Sequence, residues 1–149
     1  MASIQIAYLG GGSTRAPGTL ASYIAQAEAF AGSSITLIDQ QADKLELVAR
    51  LATRMIAARG ADLEVRATTD LEAGLTDADA VLSSFRPGGF ELRRLDERIP
   101  LRHGVIGQET QGPGGLFMAL RSVRVIKDVV ALMARVAPRA VLFNYTNPV

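Results

Sequence analysis

The chain has 149 residues, 48% of them hydrophobic and 21% charged, which is the size and balance of one globular domain; such a chain can bury about 68–70% of the surface it exposes when unfolded. Its formal net charge of +1 gives no field for holding nucleic acid or an anionic membrane. No apolar run approaches the ~20 residues of a membrane span, and the lack of cysteine excludes disulfides and thiolate metal sites within these residues. The start of the chain is too short and too uncharged for a signal peptide, so the cytoplasm is the expected compartment.

Strand-like and helix-like runs alternate, as in a parallel sheet covered on both faces. Ile4–Leu9 is a short apolar run ending in glycines and reads as a buried first strand. Thr14–Phe30 follows as a helix, with Pro17 near its start, where a missing N–H is tolerated. Ser34–Asp39 is a second, β-branched strand. Across Gln41–Arg59 a helical stripe carries Leu45, Val48, Ala49, Ala52, Met55 and Ile56. Leu63–Thr68 alternates apolar with polar residues, which suits a strand less fully covered than its neighbours. Ala80–Phe85 and Ala140–Tyr145 are the fourth and fifth strands. Between them Gly115–Ala137 reads as a long helix, with Leu116, Leu120, Val123, Ile126, Val130 and Met133 toward the core and Pro138 ending it. The pattern predicts one compact domain over 1–149, a doubly wound (Rossmann-like) parallel sheet of order 3-2-1-4-5 in a three-layer α/β/α sandwich. That order puts the third strand at an edge, in keeping with its alternation.

Gly10-Gly11-Gly12-Ser13-Thr14 lies where the first strand hands over to the first helix. A dinucleotide site needs glycine there, because the turn is tight and the backbone must come close to a pyrophosphate, which the helix N-terminus then meets with free N–H donors. Gly10 and Gly12 fill the first two positions of that fingerprint, and Arg15 stands at the third. Asp39, at the end of the second strand, is the matching acid. A carboxylate there accepts from a ribose 2′-hydroxyl and repels a 2′-phosphate, so NAD is preferred over NADP. Gly10, Gly11, Gly12, Ser13, Thr14 and Asp39 are therefore the expected cofactor residues, with loops at Thr68-Thr69-Asp70 and Pro87-Gly88-Gly89 flanking the adenine and nicotinamide halves.

Arg86, Arg93, Arg94, Arg98 and Arg102 crowd the segment after strand four, countered by Glu91, Asp96 and Glu97. A mixed charge run is most often a solvated helix face with internal ion pairs. Next to a nicotinamide pocket, however, a guanidinium fork can bind phosphate or vicinal hydroxyls at two points. Gly107-Gln108-Glu109-Thr110 is a polar turn before Gly112-Pro113-Gly114-Gly115, and Asn144 and Asn147-Pro148 close the fifth strand. The single histidine, His103, lies in a loop-like stretch and reads as structural.

Together these stretches resemble family 4 glycoside hydrolases, closest to the 6-phospho-β-glucosidase branch in Asp-Glu-Arg-Ile-Pro-Leu and Gly-Pro-Gly-Gly-Leu-Phe. The resemblance covers essentially the whole chain. It implies a sugar oxidised at C3 by hydride transfer to NAD, loss of the C2 proton to a tyrosine, elimination of the aglycone, addition of water and return of the hydride. This is the NAD-dependent exception to hydrolysis by paired carboxylates. A divalent metal, manganese in most members, polarises the C2 and C3 oxygens. In the family's Arg-x-Leu-Asp-Glu pattern the first Arg contacts substrate, which is Arg93 here. The Asn matching Asn147 also contacts the sugar, and the Glu matching Glu109 increases the basicity of the tyrosine. A nearby negative charge raises a phenol's pKa, in keeping with that role. The metal ligands and the tyrosine lie beyond Val149 in family members, so no metal ligand is expected within this chain. The resemblance implies a phosphosugar substrate, no nucleic-acid or membrane partner, and a homo-oligomeric full-length form. Two alternatives stand beside it. One is a lactate/malate-type 2-hydroxy-acid dehydrogenase, which shares the strand order and the Asn-Pro but lacks the Gly-Gln-Glu-Thr block. The other is a non-catalytic nucleotide-binding module.

Overall fold

In the computed structural model, which describes residues 3–147, the chain divides into two compact units, Met1–Phe85 with Leu132–Asn144 and Arg86–Ala131 with Tyr145–Val149. The first unit holds strands β1 (Gln5–Leu9), β2 (Ser33–Ile38), β3 (Leu63–Thr68), β4 (Ala80–Ser83) and β5 (Val141–Asn144), and helices α1 (Ala16–Ala25), α2 (Ala42–Arg59) and α3 (Leu71–Leu75). The second holds α4 (Gly89–Leu101) and most of α5 (Gly112–Val136). All strand pairings are parallel, in the order β3-β2-β1-β4-β5, so the expected doubly wound sheet is present with β3 at an edge.

Parallel strands buried on both faces read as nearly continuous apolar runs, and β1 and β2 do. Ile6 and Tyr8 of β1 and Ile35 and Leu37 of β2 point to one face, where they meet Ala16 and Leu20 of α1 and Leu45, Val48 and Ala52 of α2. The phenol of Tyr8, wholly buried, stays within 3.4 Å of the Thr19 hydroxyl, the kind of partner a buried Tyr needs. On the other face Ala7, Leu9, Ile38 and Val81 are buried too. The edge strand β3 turns Glu64 and Arg66 outward as a bidentate ion pair at 2.8 Å, a polar side that discourages further strand pairing.

Three expectations need correction. Helix α1 starts at Ala16, two residues later than expected, and stops at Ala25, five residues early. Past Tyr23 the chain folds into tight turns that bring Phe30 edge-on to Tyr23, with ring centroids 5.1 Å apart, and no Gly or Pro announces the stop. The short helix α3 was not foreseen: Asp70 caps it through Ala73 N–H at 3.1 Å, while Thr68 Oγ1 accepts from Asp70 N–H at 3.0 Å. The Thr68-Thr69-Asp70 stretch thus builds a helix start.

The third correction concerns α5, which begins at Gly112, three residues earlier than expected, and buries a different face. Of the expected core residues only Met133 is buried; the helix's other buried side chains are Met118, Ser122 and Val129, while Leu116, Leu120, Val123 and Val130 are exposed. The helix carries two apolar stripes, and periodicity registers both without saying which one the fold covers.

Candidate functional site

In the first unit the glycine turn is shaped by close approach on every side. Gly10 has φ of +89°, and a Cβ there would stand 2.1 Å from the Ser84 carbonyl oxygen. A Cβ on Gly11 would meet Leu37 Cβ at 2.7 Å, so this residue, and not one at position 15, supplies the tight packing against the sheet. Arg15 is the exposed N-cap of α1.

The turn's own amides are largely used within the protein. Gly10 and Gly11 N–H both donate to the Ile38 carbonyl at 2.9 and 3.0 Å, and Ser13 N–H donates to the Gly10 carbonyl at 3.0 Å. Gly12 N–H donates to Asp39 Oδ2 at 3.0 Å, and Gln41 N–H donates to Asp39 Oδ1 at 3.0 Å. Among the described residues the amides of Thr14 and Arg15 carry no hydrogen bond, and the buried Ser13 hydroxyl has no partner. The donors left for a ligand therefore sit at the exit of the turn, at Ser13, Thr14 and Arg15.

Asp39 was expected as a ribose acceptor; its position at the strand exit fits that role, and it also ties down the turn. Each oxygen keeps a lone pair beyond the backbone bond it accepts. Asp39→Ala is therefore expected to narrow the NAD-over-NADP preference and also to lower stability by about 1–3 kcal/mol, since two amides lose their acceptor. Titration of both cofactors beside denaturant unfolding separates the two effects. A variant with unchanged preference and lowered stability would remove Asp39 from the ribose site.

In the second unit the arginine segment is a helix, α4, entered through Gly88 in the left-handed conformation at φ of +84°. Arg93 Nε donates to Glu97 Oε1 at 2.7 Å, one helical turn on. Arg93 Nη2 is 3.0 Å from Glu109 Oε2, and Arg86 Nη2 donates to Glu109 Oε1. Glu97 lies first among the causes that hold the Arg93 guanidinium above its ordinary pKa, with Glu109 adding to it. The structure thus brings Arg93 and Glu109, expected to work separately, into direct contact. Backbone proximity helps: a Cβ on Gly107 would fall 1.7 Å from the Glu97 carbonyl oxygen, so only glycine lets the Gly-Gln-Glu-Thr turn lie against the end of α4.

Next to this cluster, Asp96 of α4 faces Arg121 of α5, with Nη1 to Oδ1 at 3.1 Å and a second bond from Nη2 to Oδ2. Asp96 is only 6% exposed, and the pair joins two helices of the second unit. Sequence reading missed this pair, and it named Arg86 among the crowded arginines without its contact with Glu109. The Arg93–Glu97 spacing of four was legible as a helical ion pair, whereas partners 23 and 25 residues apart leave no periodic signal. The outer pair Arg94–Glu91, at 3.1 Å, does match the solvated helix face that mixed charges suggest.

At the end of β5, Asn144 Oδ1 accepts from the buried Ser83 hydroxyl at 2.6 Å, which anchors β5 to β4. Asn147 is exposed, Pro148 lies outside the described residues, and His103 is exposed in the turn after α4. Among the described residues no group of three His, Cys, Asp or Glu could hold a metal ion, and no helix is long and apolar enough to cross a membrane.

Residues 5–149 match the model of the family 4 glycosyl hydrolases. The chain is 40% identical over 147 residues to the "Probable 6-phospho-beta-glucosidase" of Bacillus subtilis (strain 168), covering 97% of this chain and 33% of that one. A 6-phospho-alpha-glucosidase from gut microorganisms, solved in complex with NAD and Mn2+, superposes with a TM-score of 0.92 at 32% identity, covering 99% of this chain and 33% of that one. The 6-phospho-beta glucosidase of Thermotoga maritima, solved with manganese, NAD+ and glucose-6-phosphate, gives a TM-score of 0.90 at 32% identity, covering 97% of this chain and 35% of that one. The chain therefore spans about a third of the length of these relatives. A lactate dehydrogenase from Eimeria maxima matches at 14% identity and a TM-score of 0.67, a likeness of fold alone.

Proposed function

The chain belongs to the family 4 glycosyl hydrolases, and from that membership we propose that it forms the cofactor-binding third of an NAD- and divalent-metal-dependent glycosidase acting on 6-phospho-glucosides. The observation that carries the reading is the meeting of Arg93 and Glu109, which joins the family's Arg-x-Leu-Asp-Glu and Gly-Gln-Glu-Thr stretches in one cluster. Relatives named for both anomers match this chain, so the substrate class is the 6-phospho-glucoside without a stated anomer.

The glycine turn fits NAD. Its backbone leaves no room for side chains at Gly10 and Gly11, and its unpaired donors at Ser13, Thr14 and Arg15 suit a pyrophosphate at the start of α1. Asp39 faces the ribose. Bound NAD supplies a reversible hydride acceptor for the C3 carbon of the sugar. Arg93 binds and orients the sugar, Asn147 adds a second polar contact, and Glu109 fixes Arg93 while placing a carboxylate beside the site of proton transfer. No metal step is assigned to this chain, whose described residues offer no ligand set. A phosphorylated sugar does not cross a bilayer unaided, so the reading carries a cytoplasmic location with it, and a homo-oligomeric full-length form is part of the same proposal.

The test is an assay of the full-length enzyme on 6-phospho-glucosides after removal of NAD and chelation of metal. Turnover should vanish on removal of either and return when NAD and Mn2+ are restored together. Turnover indifferent to NAD would overturn the reading.

Glu109→Gln keeps the side chain's size and removes its charge. It should lower kcat by about tenfold or more, in line with the weight of proton transfer in such steps, and enlarge the isotope effect of a C2-deuterated substrate. Because Arg93 loses one of its two anchors, KM should rise as well. A lowered melting temperature with both kinetic constants unchanged would leave Glu109 as an ion-pair partner only.

A further inference from the structure

The glycine turn of the first unit has few donors to spare for a pyrophosphate. Gly10, Gly11, Gly12 and Ser13 all give their N–H groups to partners inside the protein. What remains is the amides of Thr14 and Arg15 and the Ser13 hydroxyl, shut off from solvent and without a partner among the described residues. The turn also carries an acid. Gly12 is the glycine whose bare backbone lets a pyrophosphate come close, and its N–H lies 3.0 Å from Asp39 Oδ2. The start of α1 offers the equivalent of about half a positive charge, against a carboxylate already in place and the anionic phosphates of a dinucleotide.

Arg15 is the cation at this turn. It is the N-cap of α1, exposed, with no side-chain cap bond, and no acidic residue stands in the helix's first turn. Nothing within the chain explains an arginine there. N-caps favour Ser, Thr, Asp or Asn, whose oxygens accept from the first free amides, whereas a guanidinium only donates. A positive charge at a helix start is also opposed by the dipole. Elsewhere in the first unit Arg50, Arg66 and Arg135 each meet a glutamate, while the Arg15 side chain has no ion pair or hydrogen bond among the described residues. Its own N–H is one of the free amides, so the side chain starts beside any anion bound there, and its planar fork matches phosphate oxygens at two points. We propose that the Arg15 guanidinium, at the position where a dinucleotide fingerprint has its third glycine, grips the pyrophosphate of NAD and supplies the positive charge that the turn lacks. This rests on the NAD reading of the turn and deepens it: Arg15 makes the pyrophosphate, more than the adenosine, the part of the cofactor that the turn selects.

The experiment titrates the full-length enzyme, without substrate, with NAD, ADP and adenosine. Arg15→Ala should weaken NAD and ADP by about tenfold or more, the weight of a charge-assisted fork, and leave adenosine within about twofold. Arg15→Lys, which keeps the charge and loses the fork, should recover part of the loss. The fall of NAD affinity with added salt should be shallower in Arg15→Ala than in the parent. Its unliganded melting temperature should equal or exceed the parent's, since the helix start sheds an unfavourable charge. Arg59→Ala is the control: it removes the same charge from the far end of α2, toward the opposite edge of the sheet, and should leave NAD affinity within about twofold. NAD affinity and salt dependence unmoved by Arg15→Ala overturn the proposal while the NAD reading stands. An equal loss for adenosine, or an equal loss in Arg59→Ala, also overturns it, since the effect would then lie in the fold or in net charge. A parent enzyme that binds neither NAD nor ADP overturns the NAD reading and this inference with it.

Discussion

Gly10→Ala is expected to destabilise the first unit by roughly 3 kcal/mol or more and to abolish measurable NAD binding. Two costs combine. The left-handed conformation at φ of +89° burdens any residue with a Cβ, by about 1–2 kcal/mol. The added carbon would also lie 2.1 Å from the Ser84 carbonyl oxygen, which is backbone and cannot swing aside, and overpacking of this kind costs typically 1–3 kcal/mol. Relief would require moving the strand exit, and with it the pair of amides that Gly10 and Gly11 give to the Ile38 carbonyl. Gly18→Ala is the control: a Cβ there meets nothing within 4 Å, and the residue lies inside α1. That variant should be neutral or more stable by up to about 1 kcal/mol. Denaturant unfolding of the two variants side by side, with NAD titration, checks the prediction. Equal stability of both would mean that the turn yields more easily than its contacts suggest.

Arg121→Ala should be the most damaging change in the second unit. It leaves the Asp96 carboxylate, its side chain 8% exposed, without the guanidinium that meets both of its oxygens. Breaking such a buried pair from one side costs typically 3–5 kcal/mol, because the remaining charge stays desolvated. Replacing both partners at once, as in Asp96→Leu with Arg121→Met, should recover much of that loss. Chemical unfolding of the single and double variants makes the comparison, and a single variant that loses less than about 1 kcal/mol would show that Asp96 reaches water or another donor when Arg121 is gone.

The sheet was legible in the sequence because each strand carries its own signal. Short apolar or β-branched runs bounded by glycine or polar residues gave the strands within two residues of their ends, and the alternation of Leu63–Thr68 marked the third and put it at the edge. Boundaries set by tertiary contact were not legible. The early end of α1 depends on Phe30 turning back to Tyr23, and the buried face of α5 depends on which of two apolar stripes finds a partner. The same divide runs through the candidate sites. The placement of Gly10 and Asp39 at the ends of neighbouring strands was readable from position along the chain, since a turn after one strand and an acid after the next are local features. The contacts of Glu109 with Arg86 and Arg93 arise only when the loop folds back on the helix, so composition showed a crowd of charges without showing which of them meet.

On the proposed reading, in which Asp39 meets the ribose, the choice of cofactor is tied to the stability of the turn. In an enzyme whose strand-end acid touches only the ribose, one substitution to a small or basic residue can admit a 2′-phosphate. Here the same carboxylate receives the amides of Gly12 and Gln41, so the substitution that would widen cofactor use also loosens the loop that has to hold the cofactor. A neutral asparagine offers one oxygen for the two amides and turns an NH2 group toward the other. A lineage or a designer moving this protein toward NADP would have to supply a replacement acceptor in the same step, and single mutations at this position should be selected against before any new specificity appears.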